Sequence, residues 1–247
     1  MRVQRAGGRS DGVVSRAWLS GALALALAGC GAARPAAEAA GDEEVMFEDE
    51  AAARAAPEAS PEVERGESLL ARGEAEQAEA AFRRAIEADP RDVRAHLDLG
   101  LALEMQERFA DAEAAYRAAL EIDPEFAEAL NNLGVLLRDQ ERLEEAVEML
   151  RRAVRARPSF ASAHLNLGLA LEEAGAIEEA MASYRRVIQL APREPTSRIQ
   201  LGLLLLERGE RDQALIELRR AASAAAGQPA MLSALGNGLR RAGDPQM

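Results

Sequence analysis

Residues 93–126 read VRAHLDLGLALEMQERFADAEAAYRAALEIDPEF, and this stretch decides the fold. Leu99 and Leu103 stand four apart, on one stripe of a helix. Gly100 lies beside that stripe without a side chain, so a second helix can approach there, and Ala112 is the small residue expected on the facing surface. Tyr116 follows Ala112 by four and, with Ala119, is expected to fill the joint with the next part of the chain. Asp123-Pro124 closes the segment, because the residue before a proline is pushed out of the α region. The stretch predicts two antiparallel helices, about Val93–Gln106 and about Ala110–Ile122.

The same marks recur outward in both directions with a period of 34. Glycine stands at 66, 100, 134, 168, 202 and 236, alanine at 78, 112, 146, 180 and 214, and proline at 90, 124, 158 and 192. Leu99, Leu133, Leu167, Leu201 and Leu235 precede five of the glycines, and Phe82, Tyr116, Leu150, Tyr184 and Leu218 follow the alanines by four. A fixed period of this length marks stacked supersecondary units, each needing its neighbours to bury a core. Five units begin at 59, 93, 127, 161 and 195 and fill residues 59–226. The first has Arg65 where the others carry Leu before the glycine, so its first helix is expected to be weak. The fifth has Ala226 in place of the closing proline. Residues 227–247 then supply a helix at about Ala230–Ala242, with Leu232, Leu235, Gly236 and Leu239 in pattern and Arg240-Arg241 at its end. This reads as a capping helix whose polar outer face covers the open end.

Composition agrees. Hydrophobic residues make up 48% of the chain but aromatics only 3%, so the apolar content is mostly Ala and Leu, the strongest apolar helix formers. Strand-forming β-branched and aromatic residues are scarce.

The 34-residue pattern of glycine, alanine, large residue and proline resembles the tetratricopeptide repeat over residues 59 to the C-terminus. That resemblance implies an all-α, right-handed solenoid of helix-turn-helix repeats whose concave face is lined by the first helix of each unit, at positions 2, 5, 6, 9, 12 and 13. Position 6 reads Asp98, Asn132, Asn166 and Gln200. An amide side chain both donates and accepts, so Asn132 and Asn166 are expected to face solvent and to pair with the backbone of an extended peptide. Positions 5 and 9 are mostly apolar: Leu97, Leu101, Val135, Leu165, Leu169, Ile199 and Leu203. These are expected to hold ligand side chains. The charges of the groove, Arg94, Glu104, Glu128, Arg138, Asp139, Glu172, Glu173 and Glu207, are mainly negative. The carboxylate clamp found in some family members needs Lys and Asn at positions 5 and 9, and this chain has no Lys at all.

All 30 basic residues are Arg, which excludes a Schiff-base or phosphate-loop lysine. The net charge is -12 over the chain, and without residues 1–29 it becomes -15, from 26 Arg against 41 acids. Such a chain repels nucleic acid and anionic headgroups and favours neutral or basic partners. His96 and His164 both fall at position 4 of a unit, where packing is the expected role. No catalytic motif such as G-x-S-x-G, H-E-x-x-H or C-x-x-C occurs. No enzymatic activity, cofactor, metal or small-molecule substrate is expected.

The N-terminus has its own logic. Arg2, Arg5, Arg9 and Arg16 precede an uncharged run over residues 17–29, a basic region followed by a short apolar one. A helix of about 13 residues reaches roughly 20 Å, short of a hydrocarbon core of about 30 Å. Leu27-Ala28-Gly29-Cys30 resembles the lipobox of bacterial lipoproteins, and Cys30 is the one cysteine in the chain. The resemblance implies a signal peptide at 1–29 and lipid on Cys30. Gly31, where an Asp would retain a lipoprotein in the inner membrane, implies the periplasmic face of the outer membrane. Residues 30–58 are rich in Ala, Glu, Asp, Pro and Gly, too poor in core-forming residues to offset ordering entropy. They read as an acidic disordered tether spanning roughly 30 Å as a coil. Within it Val45-Met46-Phe47 admits three readings: stray apolar residues of a solvated linker, a docking motif, or a segment folding back on the array.

The architecture is similar to that of the pilotin lipoproteins of type IV pili and to repeat lipoproteins that scaffold peptidoglycan hydrolases. It implies an envelope adapter that binds another protein through an extended segment. The alternative is a structural subunit packed permanently in an outer-membrane assembly complex.

Overall fold

The computed structural model describes residues 60–224 and 229–243. Every regular element among them is a helix: α1 (Pro61–Ala71), α2 (Ala75–Ala88), α3 (Val93–Met105), α4 (Phe109–Ile122), α5 (Ala127–Asp139), α6 (Leu143–Ala156), α7 (Ala161–Glu173), α8 (Ile177–Leu190), α9 (Thr196–Glu207), α10 (Arg211–Ala224) and α11 (Pro229–Ala242). The expected bounds of α3, α4 and α11 are met to within one residue. The expectations for residues 1–29, Cys30, the tether, Ala226 and the boundaries at 58/59 and 226/227 fall outside the described residues.

Local chemistry sets each helix end. Each first helix closes through one residue in the left-handed region: Gly73, Glu107, Glu141, Gly175 and Gly209, with φ between 59° and 80°. The amide one residue further on reaches back to the last turn, as in Arg108 N to Leu103 O at 2.9 Å and Ala176 N to Leu171 O at 2.8 Å. This six-to-one bond satisfies carbonyls that the helix leaves open. The second helices stop at extended residues, Asp89, Asp123 and Arg157, each preceding a proline. Asp92 caps α3 by accepting from the backbone amides of Arg94 and Ala95, both at 3.0 Å. Glu194 does the same for α9 from the amides of Thr196 and Ser197.

The first helix is regular, although Arg65 stands where the other units carry Leu. Ser60 caps it and Pro61 starts it. Val63 and Leu69 bury its contact face, while Arg65 is exposed.

Packing within each pair rests on the periodic glycine. A Cβ placed on Gly100 would lie 2.3 Å from the Tyr116 ring, one on Gly134 2.6 Å from Leu150 Cγ, and one on Gly168 2.5 Å from the Tyr184 ring. The large residue therefore packs on the glycine of its own unit. Tyr116 also reaches the next unit, where its hydroxyl lies beside Asn132. Ala78, Ala112, Ala146, Ala180 and Ala214 are fully buried opposite.

Each second helix packs on the first helix of the following unit. In addition α1 touches α3, α5 touches α7 and α9 touches α11, whereas no two second helices meet to a comparable extent. First helices are thus the more closely spaced and line the inner side of the array. Leu235 and Leu239 of α11 are buried against the last pair, with Asn237, Arg240 and Arg241 outward, as a capping helix requires.

Candidate peptide-binding groove

The first helices bring the position-6 residues of successive units to the inner face, and a hydrogen-bonded amide chain forms there. Asn166 Nδ2 donates to Asn131 Oδ1 at 2.9 Å, and Asn131 Nδ2 donates to Asn132 Oδ1 at 3.1 Å. Asn132 and Asn166 are half-buried rather than solvent-facing, and Asn131 is buried. Asn131 was not among the expected groove residues. Its signal in the sequence is that it interrupts the apolar row formed at the same position by Leu97, Leu165 and Ile199. It ties α5 to α7 and fixes the orientation of both neighbouring amides. Asn132 Nδ2 also faces the Tyr116 hydroxyl, which leaves one of its two N–H groups, and Asn166 retains its Oδ1 acceptor. Gln200 is half-buried on α9.

The apolar row divides by exposure. Leu97, Leu165 and Ile199 are 8%, 6% and 7% exposed, so their surface is spent on packing between units. Leu101, Val135, Leu169 and Leu203 are half-buried and supply the open apolar surface.

Most of the groove charges are already engaged. Arg138 is buried, its guanidinium 2.8 Å from Asp139 and 3.9 Å from Glu173. Arg94 pairs with Glu67 at 2.9 Å. Glu104 accepts from the Tyr116 hydroxyl, and Glu172 from the Tyr184 hydroxyl at 2.8 Å. Burial raises the Glu104 carboxyl above the usual range in spite of that bond. Burial also raises Glu173, against the pull of Arg138 and helped by Asp139 and Glu172. Both tyrosines are held neutral by burial and by the carboxylate each faces.

Asp98 differs from the other position-6 residues. It is 7% exposed and its Oδ2 is buried without a hydrogen-bond partner. Burial, reinforced by Glu67, pushes its carboxyl up to about 7.

The two histidines have structural partners. His96 Nε2 lies 3.1 Å from the Pro90 carbonyl and His164 Nε2 lies 3.2 Å from that of Pro158. Each ring, as an Nε2–H donor, fastens its helix to the preceding turn. Burial lowers the His164 pKa. Among the described residues no group of three or more His, Cys, Asp or Glu is placed to hold a metal ion.

Tetratricopeptide-repeat models match residues 63–127, 106–159 and 131–195, and a further one matches 171–237. The chain belongs to the tetratricopeptide-repeat family. Among solved tetratricopeptide-like structures, PilF of Pseudomonas aeruginosa is 28% identical, with a TM-score of 0.67 over 74% of this chain and 83% of that one. PilW, described as a widely conserved type IV pilus biogenesis factor, is 23% identical, with a TM-score of 0.66 over 75% of this chain and 86% of that one. YrrB, described as a repeat protein with an unusual peptide-binding site, is 24% identical, with a TM-score of 0.59 over 72% and 91%. The likeness to PilW and YrrB speaks for the fold. No curated protein matches the sequence. Tetratricopeptide repeats are protein-interaction modules, and this chain is a tetratricopeptide-repeat interaction protein.

Proposed function

We propose that this protein is a lipid-anchored adapter of the bacterial envelope that holds an extended segment of another protein against the inner face of its repeats. The observation that carries the reading is the amide chain Asn132–Asn131–Asn166, flanked by the open apolar side chains Leu101, Val135, Leu169 and Leu203. Preset amides offer donors and acceptors to a peptide backbone at low ordering cost. The apolar side chains beside them offer area for alternate ligand side chains. The acidic groove favours a neutral or basic segment.

The anchor is the lipobox Leu27-Ala28-Gly29-Cys30, and no helix among the described residues is long and apolar enough to cross a membrane. Several acyl chains on one residue suffice for stable attachment, at about 0.8 kcal/mol per buried CH₂. Similarity to PilF, and to PilW, a type IV pilus biogenesis factor, supports a place in assembly of a pilus type of machine; the lipobox and Gly31 are the reason for placing it, or a secretin or cell-wall enzyme complex, at the periplasmic face of the outer membrane.

Crosslinked pull-down of the lipidated protein from membranes tests the adapter reading. A partner captured by wild type and lost with Asn132→Ala/Asn166→Ala supports it. Equal capture by the double variant moves the partner site off the inner face. For the anchor, labelled palmitate should enter wild type, and Cys30→Ala should accumulate as an unlipidated, unprocessed precursor. Unchanged processing and membrane retention in that variant would sink the anchor.

A further inference from the structure

We infer that Asp98 is the seat for a cationic side chain, Arg or Lys, of the extended partner segment, one unit before the amide chain. The inference rests on the groove reading above and names the chemistry that one end of the groove selects.

Asp98 lies on α3 in the row that Asn132 and Asn166 continue on α5 and α7. More than nine-tenths of it is buried, and Oδ2 has no hydrogen-bond partner. Buried polar atoms in folded proteins are paired almost without exception, and an unpaired one calls for an occupant or a function. The fold supplies a loose ion pair but no hydrogen bond. The nearest cation, Arg94, stands with Nε 4.0 Å from Oδ2, beyond hydrogen-bond distance. Its guanidinium is held by Glu67 of α1 at 2.9 Å.

The surroundings say which donor fits. Glu67 on α1, Asp92 at the start of α3 and Asp98 itself are acidic, against Arg94 alone. On the α4 side stands Tyr116, whose hydroxyl is already given to Glu104. A neutral donor would leave this excess of negative charge uncompensated. A guanidinium or ammonium at the carboxylate compensates that charge, as a charge-assisted hydrogen bond. A metal ion does not fit, because no group of three or more potential ligands is assembled there or elsewhere among the described residues.

The test displays random peptides to the full chain in three forms: wild type, Asp98→Asn and Asn132→Ala/Asn166→Ala. Wild type should enrich peptides with Arg or Lys at one fixed place in a common pattern. Asp98→Asn should bind those peptides at least tenfold more weakly and should select the rest of the pattern without the basic residue. Its melting temperature should equal or exceed that of wild type. Peptides that need Asn132 and Asn166 but keep their basic residue on Asp98→Asn would overturn the inference and leave the groove reading standing. A lower melting temperature for Asp98→Asn would also overturn it, by making Asp98 a partner within the fold. Peptides indifferent to the amide variant, or no enriched pattern, would remove the groove reading and this inference together.

Discussion

At the scale of single residues, the periodic glycine and the buried aspartate make opposite demands. Gly134 is a helical glycine, so on propensity alone a substitution gains about 1 kcal/mol. The space decides otherwise, since a Cβ there would stand 2.6 Å from Leu150 Cγ, and overpacking costs about 1–3 kcal/mol. Gly134→Leu should therefore lower the thermal midpoint followed by circular dichroism. An unchanged midpoint would mean the glycine is not in the joint. Asp98 carries a pH signature. Burial lifts its carboxyl from 3.8 to about 7, so between those values the folded chain holds a proton that the unfolded chain has released. Stability is then lost as pH rises through that window and is level above it. The advantage of Asp98→Asn over wild type in urea unfolding should grow across the window. A difference that is flat with pH would show an ordinary, solvated carboxylate.

At the scale of the element, the turn that closes each first helix is the instructive part. Its left-handed residue is glycine at 73, 175 and 209 but glutamate at 107 and 141. A side chain in that region costs about 1–2 kcal/mol, and glycine returns about 0.4–1 kcal/mol of it through the entropy of the unfolded chain. Glu141→Gly should stabilise by about 0.5–1 kcal/mol, read as a higher denaturation midpoint. A loss would mean the Glu141 side chain holds a partner worth more than the strain. The capping helix makes a second case. Leu239 is 1% exposed, and truncating a buried leucine costs about 2–5 kcal/mol. In a linear array that loss stays near its origin. Hydrogen exchange of Leu239→Ala should quicken in α9–α11 and leave α1–α4 protected. Uniform quickening would indicate one cooperative unit.

At the scale of the molecule, an acidic, lysine-free chain presents a row of first helices, and on the proposed groove reading ligand contacts add along that row. Asn132→Ala/Asn166→Ala removes two preset groups, at about 1–3 kcal/mol for each peptide group left unpaired, so partner affinity should fall at least tenfold. Asn166 also bonds to Asn131, and Asn131 to Asn132, so the double variant should lose about 1 kcal/mol of stability per hydrogen bond as well. Calorimetric titration with the captured partner, beside a melting curve, separates the two effects. Raised salt should weaken the binding of a basic segment, and salt-independent affinity would argue against an electrostatic share.

The period, the helix pairs, their turns and the cap are legible in the chain's own residues, because those signals are short in range. A proline acts on the residue before it, and leucines four apart share a stripe. The glycine of one helix and the large residue of the next lie 16 apart, as Gly100 and Tyr116 do. Packing between units sets which residues of the first helices remain available. Leu97, Leu165 and Ile199 are covered by neighbouring units, Arg138 is buried beside Asp139 and Glu173, and Asn131 joins Asn166 across 35 residues. Asp98 and Asn132 hold equivalent places in the repeat, yet one is a buried acid whose Oδ2 has no hydrogen bond and the other part of an amide chain. The repeat fixes the position of a side chain, and the side chains of the adjacent units fix its partners and its exposure.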